Sequence, residues 1–205
     1  MAITTLAGKG QELTTAELDQ NFIDLDLRTA AGWKDLVSPM TNVGVPTEFA
    51  PQYEAFGPSG LRKELKFDVN DYAYVSAFHV GHDIKPGGKA YIHVHWSTSG
   101  TSILPVRWEF QISRALGHNQ AYFSAETSYV VEQSSNGGAW RHMIVEVSDL
   151  QAITLIEPDE LILVTIRRLS NGATDNPDNV FGLLCDFHYE ADRDTTINKA
   201  PNFYL

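Results

Sequence analysis

The stretch AYIHVHWS, residues 90–97, sets His93 and His95 two positions apart. On an extended strand that spacing turns both imidazoles to one face, about 7 Å apart. Two histidines on one face are the start of a metal site. The later stretch FGLLCDFHYE, residues 181–190, adds Asp186 and His188, which alternate onto one face in the same way. His93, His95 and His188 are therefore the metal-binding alternative. Hydrogen-bonded or subunit-contact histidines account for the same residues without an ion. That reading is preferred, with no metal, no cofactor and no catalytic residue expected.

Other chemistry has less support. His79, His82 and Asp83 in HVGHD read as polar residues flanking a turn, and His118 and His142 as surface or edge residues without a visible partner. There is no Gly-x-Ser-x-Gly elbow, and Gly8-Lys9-Gly10 does not continue into a phosphate-cradling loop. Cys185 lies in an apolar run with no basic neighbour to activate its thiol, so it should pack as a small hydrophobe. The acid pairs Asp175/Asp178 and Asp192/Asp194 read as solvated loops rather than calcium ligands. A non-enzyme is expected.

The elements that must position these residues are mostly strands. From residue 61 onward, short β-branched and aromatic runs alternate with turn signals about every ten residues. Eight runs can be counted: 61–69, 72–80, 88–97, 104–115, 121–132, 139–147, 160–169 and 181–190. Eight antiparallel strands predict an all-β jelly-roll β-sandwich of two four-stranded sheets. Val106, Trp108, Phe110 and Ile112 share one face of their run, and Leu65, Phe67 and Val69 share a face of theirs. LILVTI, residues 161–166, is almost wholly apolar and predicts a strand covered on both faces.

Two segments precede this domain. Residues 13–29 predict a short N-terminal helix with Thr14 as N-cap and Glu17 at the capping-box position. Leu18, Phe22 and Leu25 form a single apolar stripe that asks for one partner surface. Residues 32–60 hold four prolines and four glycines without periodicity, and read as an extended arm. Its Trp33, Phe49, Tyr53 and Phe56 need a surface to lie on. The expected division is 1–31 helical anchor, 32–60 arm and 61–205 jelly roll, with those seven apolar residues as the partner-binding set.

The formal charge is −11 over 205 residues. Seven of those negative charges come from residues 1–31 and 171–205, so the central body is only mildly acidic. An acidic chain without a Lys/Arg-rich run argues against nucleic acid as a partner. No stretch approaches the ~18–20 apolar residues of a membrane span, MAITTLAGKGQ lacks the pattern of an export leader, and one cysteine excludes an internal disulfide. No membrane partner and a reducing compartment are expected.

Several segments resemble virion structural proteins of tailed bacteriophages of the small jelly-roll type. KPGGKAYIHVHWS at 85–97 looks like their His-x-His-Trp strand, followed after a turn by the Trp-containing VRWEFQISRA. FGLLCDFHYEADRDTTINKAPNFY resembles their closing strand and tail, and ELTTAELDQNFIDLDLRT the short helix that opens many phage fibre and appendage proteins. The resemblance implies a homotrimer that decorates or cements a capsid through its helix and arm, touching the major capsid protein, assembled in the host cytoplasm and located in the virion. A tail-fibre or adaptor role, or a receptor-binding module for host surface glycan, is the alternative, with Trp140, Tyr122 and Tyr129 as stacking platforms. A cupin-like metal-binding protein using His93 and His95 is the second alternative, although the carboxylate and Pro-Gly context of the cupin pattern are missing.

Overall fold

The computed structural model describes residues 13–28, 32–118, 121–192 and 202, without the side chains of 23–28, 42 and 150. Among these residues one α-helix, α1 (Thr15–Arg28), precedes twelve strands. These are β1 (Gly32–Pro39), β2 (Gln52–Phe56), β3 (Arg62–Phe67), β4 (Tyr72–Tyr74), β5 (Phe78–His79), β6 (Lys89–Thr98), β7 (Pro105–Ala115), β8 (Thr127–Ser134), β9 (Met143–Glu146), β10 (Ile153–Thr154), β11 (Leu161–Leu169) and β12 (Val180–Ala191).

All pairing is antiparallel and falls into two sheets. Sheet A runs β9-β6-β12-β3-β2, with β10 beside β6 and β1 beside β12. Sheet B runs β8-β7-β11-β4, with β5 continuing the β4 edge. From β3 onward the chain passes between the sheets in jelly-roll order, as expected, but the sheets hold seven and five strands rather than four each, because β1, β2 and β10 join sheet A and the 72–80 run supplies two strands to sheet B. Each of the eight expected runs contains a strand. The 72–80 run is divided into β4 and β5, both paired to β11, because the chain leaves the ladder between them.

Period-two alternation builds the core. Val106, Trp108, Phe110 and Ile112 point inward from β7, and Leu65 and Phe67 from β3, all buried. Trp96 and Trp108 meet across the sandwich with ring centroids 6.3 Å apart, and Phe67 packs edge-on to Trp108 at 5.3 Å. Gly182 sits at a bulge in β12, where a Cβ would lie 2.8 Å from the Phe67 ring. Cys185 is fully buried, and burial raises its thiol well above the ordinary value.

LILVTI departs from expectation. Ile162, Val164 and Ile166 are buried, but Leu163 is 38% exposed and Leu161 and Thr165 are half-buried. β11 is central within sheet B, flanked by β7 and by β4 and β5, and only one face of that sheet meets sheet A. An apolar run is therefore covered once, not twice.

The arm finds its surface on its own domain. β1 pairs with β12 from Gly32↔Ala191 to Pro39↔Leu184, and β2 pairs with β3. Met40, just after β1, is fully buried against Gly182. Removing residues 1–60 would strip both strands from sheet A.

Candidate functional site

The outer face of sheet A gathers four of the seven histidines. In β6 the core takes Ile92, Val94 and Trp96, which leaves Tyr91, His93 and His95 on the outside. In β12 the core takes Cys185, Phe187 and Tyr189, which turns Asp186, His188 and Glu190 outward. The register sets Asp186 opposite His93 on one side and Val37 on the other, and His188 opposite Asp35. β9 adds Glu146 opposite His93.

One network results. His93 Nε2 and His95 Nε2 both lie 3.0 Å from Asp186 Oδ2. His93 Nδ1 lies 3.0 Å from Glu146 Oε2, and His95 Nδ1 lies 2.6 Å from His142 Nε2. His188 Nδ1 is 3.2 Å from Asp35 Oδ1. His93 and Asp186 are each 7% exposed. Burial alone would raise the Asp186 carboxyl, but the hydrogen bonds from His93 and His95 outweigh it and hold the group at about 2. Burial would lower His93, and its bonds to Asp186 and Glu146 prevail, leaving it above the ordinary imidazole value.

The expected trio of His93, His95 and His188 is divided. Among the described residues, the ligand-atom groupings that could hold an ion are His93, His95 and Asp186, and Asp35, His93 and His188. Asp186 was visible in the sequence as an alternating neighbour of His188. That it stands beside His93 follows only from strand pairing. Against this face a small hollow of about 250 Å³ is lined by Trp33, Tyr91, Glu146, Asp149 and His188. Tyr91 donates to Asp149 at 2.8 Å, and that bond pushes its hydroxyl up to about 12.

The remaining three histidines converge on Asp159. His79 Nε2 and His82 Nε2 lie 3.1 and 3.3 Å from Oδ1, and His118 Nε2 lies 2.8 Å from Oδ2. Thus His118 and His142, for which the sequence showed no partner, both have one.

Sheet B presents a different outer face. Tyr72 and Tyr74 flank the buried Ala73, and Gln111, Thr165 and Arg167 alternate with core residues. With Phe49 and Glu126 they line a cleft of about 590 Å³. It shares Tyr74, Gln111, Glu126 and Thr165 with an adjoining cleft of about 460 Å³ that adds Phe123 and Leu163. Phe49, Tyr74 and Phe123 are each about half exposed, at 53%, 48% and 48%.

The proposed partner-binding residues are scattered. Trp33 packs against His188 at 5.0 Å and Tyr91 at 5.6 Å while remaining 50% exposed. Phe56 packs edge-on to Trp140 and Phe181. Tyr53 donates its hydroxyl to the Met40 carbonyl at 3.2 Å and is 45% exposed. On α1, Leu18 is 42% and Phe22 69% exposed, and Leu25 lies on the helix with its side chain outside the described residues. Of the three stacking platforms expected, Trp140 is occupied by Phe56 and Phe181, Tyr129 is packed against the core, and Tyr122 is 96% exposed. Asp175 and Asp178 cap loop backbone at Asn171 and Ser102, and Asp194 lies outside the described residues.

No family model matches the chain, and no curated protein matches it in sequence. Among solved structures it is similar to the CBM36-1 domain of a multidomain xylanase from the hindgut metagenome of Trinervitermes trinervoides. That likeness has 8% identity and a TM-score of 0.41 over 75% of this chain and 96% of that one. It is also similar to the insecticidal delta-endotoxin Cry8Ea1 from Bacillus thuringiensis, at 9% identity and 0.44 over 75% and 24%. A third is infectious bursal disease virus, Gt strain, at 6% identity and 0.35 over 78% and 32%. Among the described residues no helix is long and apolar enough to cross a membrane.

Proposed function

We propose that the protein is a non-enzymatic structural component of a tailed-bacteriophage virion, a homotrimeric jelly roll that decorates or cements the capsid through its N-terminal helix. The apolar stripe of α1 carries this reading. Phe22 is 69% exposed and Leu18 42%, so the helix keeps apolar side chains in water. Fully burying each such side chain returns about 1.5–3 kcal/mol, and a helix of 14 residues is marginal by itself. An external surface supplies what the helix lacks, and the likeness of ELTTAELDQNFIDLDLRT to phage appendage helices supports a virion surface. Phe56 is packed on the sandwich, while Trp33, Phe49 and Tyr53 of the arm stay about half exposed and add to the helix stripe as further attachment surface. The test is retention on purified particles of the full chain carrying Leu18→Asp and Phe22→Asp. Loss of retention with an unchanged sandwich is expected, and undiminished retention overturns the reading. Copy number by mass spectrometry then separates shell from tail.

A second reading, recognition of a host surface glycan, is favoured by the sheet-B cleft. Half-exposed aromatic rings beside Gln111, Glu126 and Arg167 offer apolar faces for sugar rings and donors and acceptors for hydroxyls. Binding of the isolated protein to host polysaccharide tests it.

A further inference from the structure

We propose that His93, His95 and Asp186 bind one divalent transition-metal ion of the zinc class on the outer face of sheet A. Both histidine Nε2 atoms lie 3.0 Å from the same oxygen, Asp186 Oδ2. One ligand atom from each of the three residues lies within 4.8 Å of the others. The set comes from two directly paired strands, because β6 supplies the two histidines and β12 sets Asp186 opposite His93. Ligands on central strands are held more rigidly than ligands on loops.

Two further observations point to an ion. Asp186 is 7% exposed, and its other oxygen, Oδ1, is buried with no hydrogen-bond partner. A buried polar atom left unsatisfied is costly and calls for an explanation such as an ion. Coordination through both carboxylate oxygens removes that cost.

The second observation concerns the far side of each ring. His93 Nδ1 meets Glu146 at 3.0 Å, and His95 Nδ1 meets His142 at 2.6 Å. With an ion in place of the proton on Nε2, His93 still donates from Nδ1 to Glu146, so that carboxylate keeps the ring turned toward Asp186. A carboxylate behind the distal nitrogen is also how metal-binding imidazoles are oriented.

Donor type selects the metal. Two imidazole nitrogens and one carboxylate suit zinc and its neighbours, whereas calcium and magnesium take oxygen ligands. Two imidazole nitrogens and the two oxygens of Asp186 supply the four donor atoms that an ion of the zinc class takes. The second grouping, Asp35, His93 and His188, shares His93 but has no orphaned oxygen, and His188 already pairs with Asp35. The ion therefore clasps the two central strands of sheet A.

The test uses the full chain, stripped with chelator and titrated with zinc by calorimetry and with cobalt(II) by visible absorption. One equivalent should bind with micromolar or tighter affinity, with a cobalt band from nitrogen and oxygen ligands and a rise in Tm of about 5 °C at saturating zinc. His95→Gln and Asp186→Asn should each weaken binding about 100-fold, and Glu146→Gln about tenfold. His82→Gln, in the separate cluster at Asp159, should leave affinity unchanged. If Asp186→Asn does not fold, His95→Gln decides alone, since its ring stands further into solvent than that of His93. Absence of stoichiometric zinc and cobalt binding overturns the proposal, as does binding that is unchanged in His95→Gln.

Discussion

Asp159, in the turn that leads into β11, accepts a hydrogen bond from His118 at 2.8 Å, which ties the loop after β7 to that turn. The other carboxylate oxygen faces His79 and His82, so one acid gathers three imidazoles from two separate stretches of chain. Burial would raise this carboxyl, but His118, His82 and His79 outweigh it and hold it below the ordinary value.

A depressed carboxyl stabilises the fold above its unfolded pKa of about 3.9 and loses that contribution as pH falls through the folded value. Urea midpoints of the wild type should therefore drop as pH falls below about 4, and Asp159→Asn should flatten part of that limb. Asn is the suitable replacement because residue 159 has φ +63°, a conformation Asn tolerates. An acid limb identical in the two proteins would show that the cluster does not couple to folding.

Arg168 joins the sheets from within. It is 4% exposed on β11, and its guanidinium donates to the Phe67 carbonyl of β3 at 2.8 Å and to the Asn176 carbonyl at 2.7 Å. Arg168→Met keeps much of the volume and removes both of these hydrogen bonds. A loss of about 3 kcal/mol in urea unfolding is expected. A loss below about 1 kcal/mol would mean that water replaces the guanidinium.

Thr14 and Glu17 form the reciprocal cap of α1. The Thr14 amide donates to the Glu17 carboxylate at 2.8 Å, and the Glu17 amide donates to Thr14 Oγ1 at 3.3 Å. Thr14→Ala should cost the helix about 1 kcal/mol. Ellipticity at 222 nm should fall while the unfolding midpoint of the sandwich stays in place. A shifted midpoint would mean that helix and sandwich unfold as one unit.

Tyr74 lines both clefts on sheet B and is 48% exposed. If the face recognises glycan, Tyr74→Ala should weaken polysaccharide binding by about tenfold, the worth of one stacked ring. Tyr122→Ala, a fully solvated ring outside the clefts, serves as the comparison. Equal effects of the two substitutions would remove the cleft from consideration.

Much of the architecture was legible in residue order alone. Alternation in VRWEFQIS predicted which side chains of β7 enter the core, the spacing of Thr14 and Glu17 predicted the cap, and the run count predicted a jelly roll. The first two depend on neighbours one to four positions apart, where backbone geometry alone dictates the face a side chain occupies.

What stands across from a residue is decided by pairing between strands far apart in the chain. His93 and His95 were recognisable, but their carboxylate lies more than 90 positions later and meets them only because β12 pairs with β6. The same holds for His79, His82 and His118, drawn to Asp159 by the packing of turns at one end of sheet B. The apolar LILVTI run misled because composition records hydrophobicity but not how many faces are covered, and the outer face of sheet B stays open. Periodicity thus set what each strand presents, and only the tertiary fold, through long-range hydrogen-bonded register and sheet packing, decided what it is presented to.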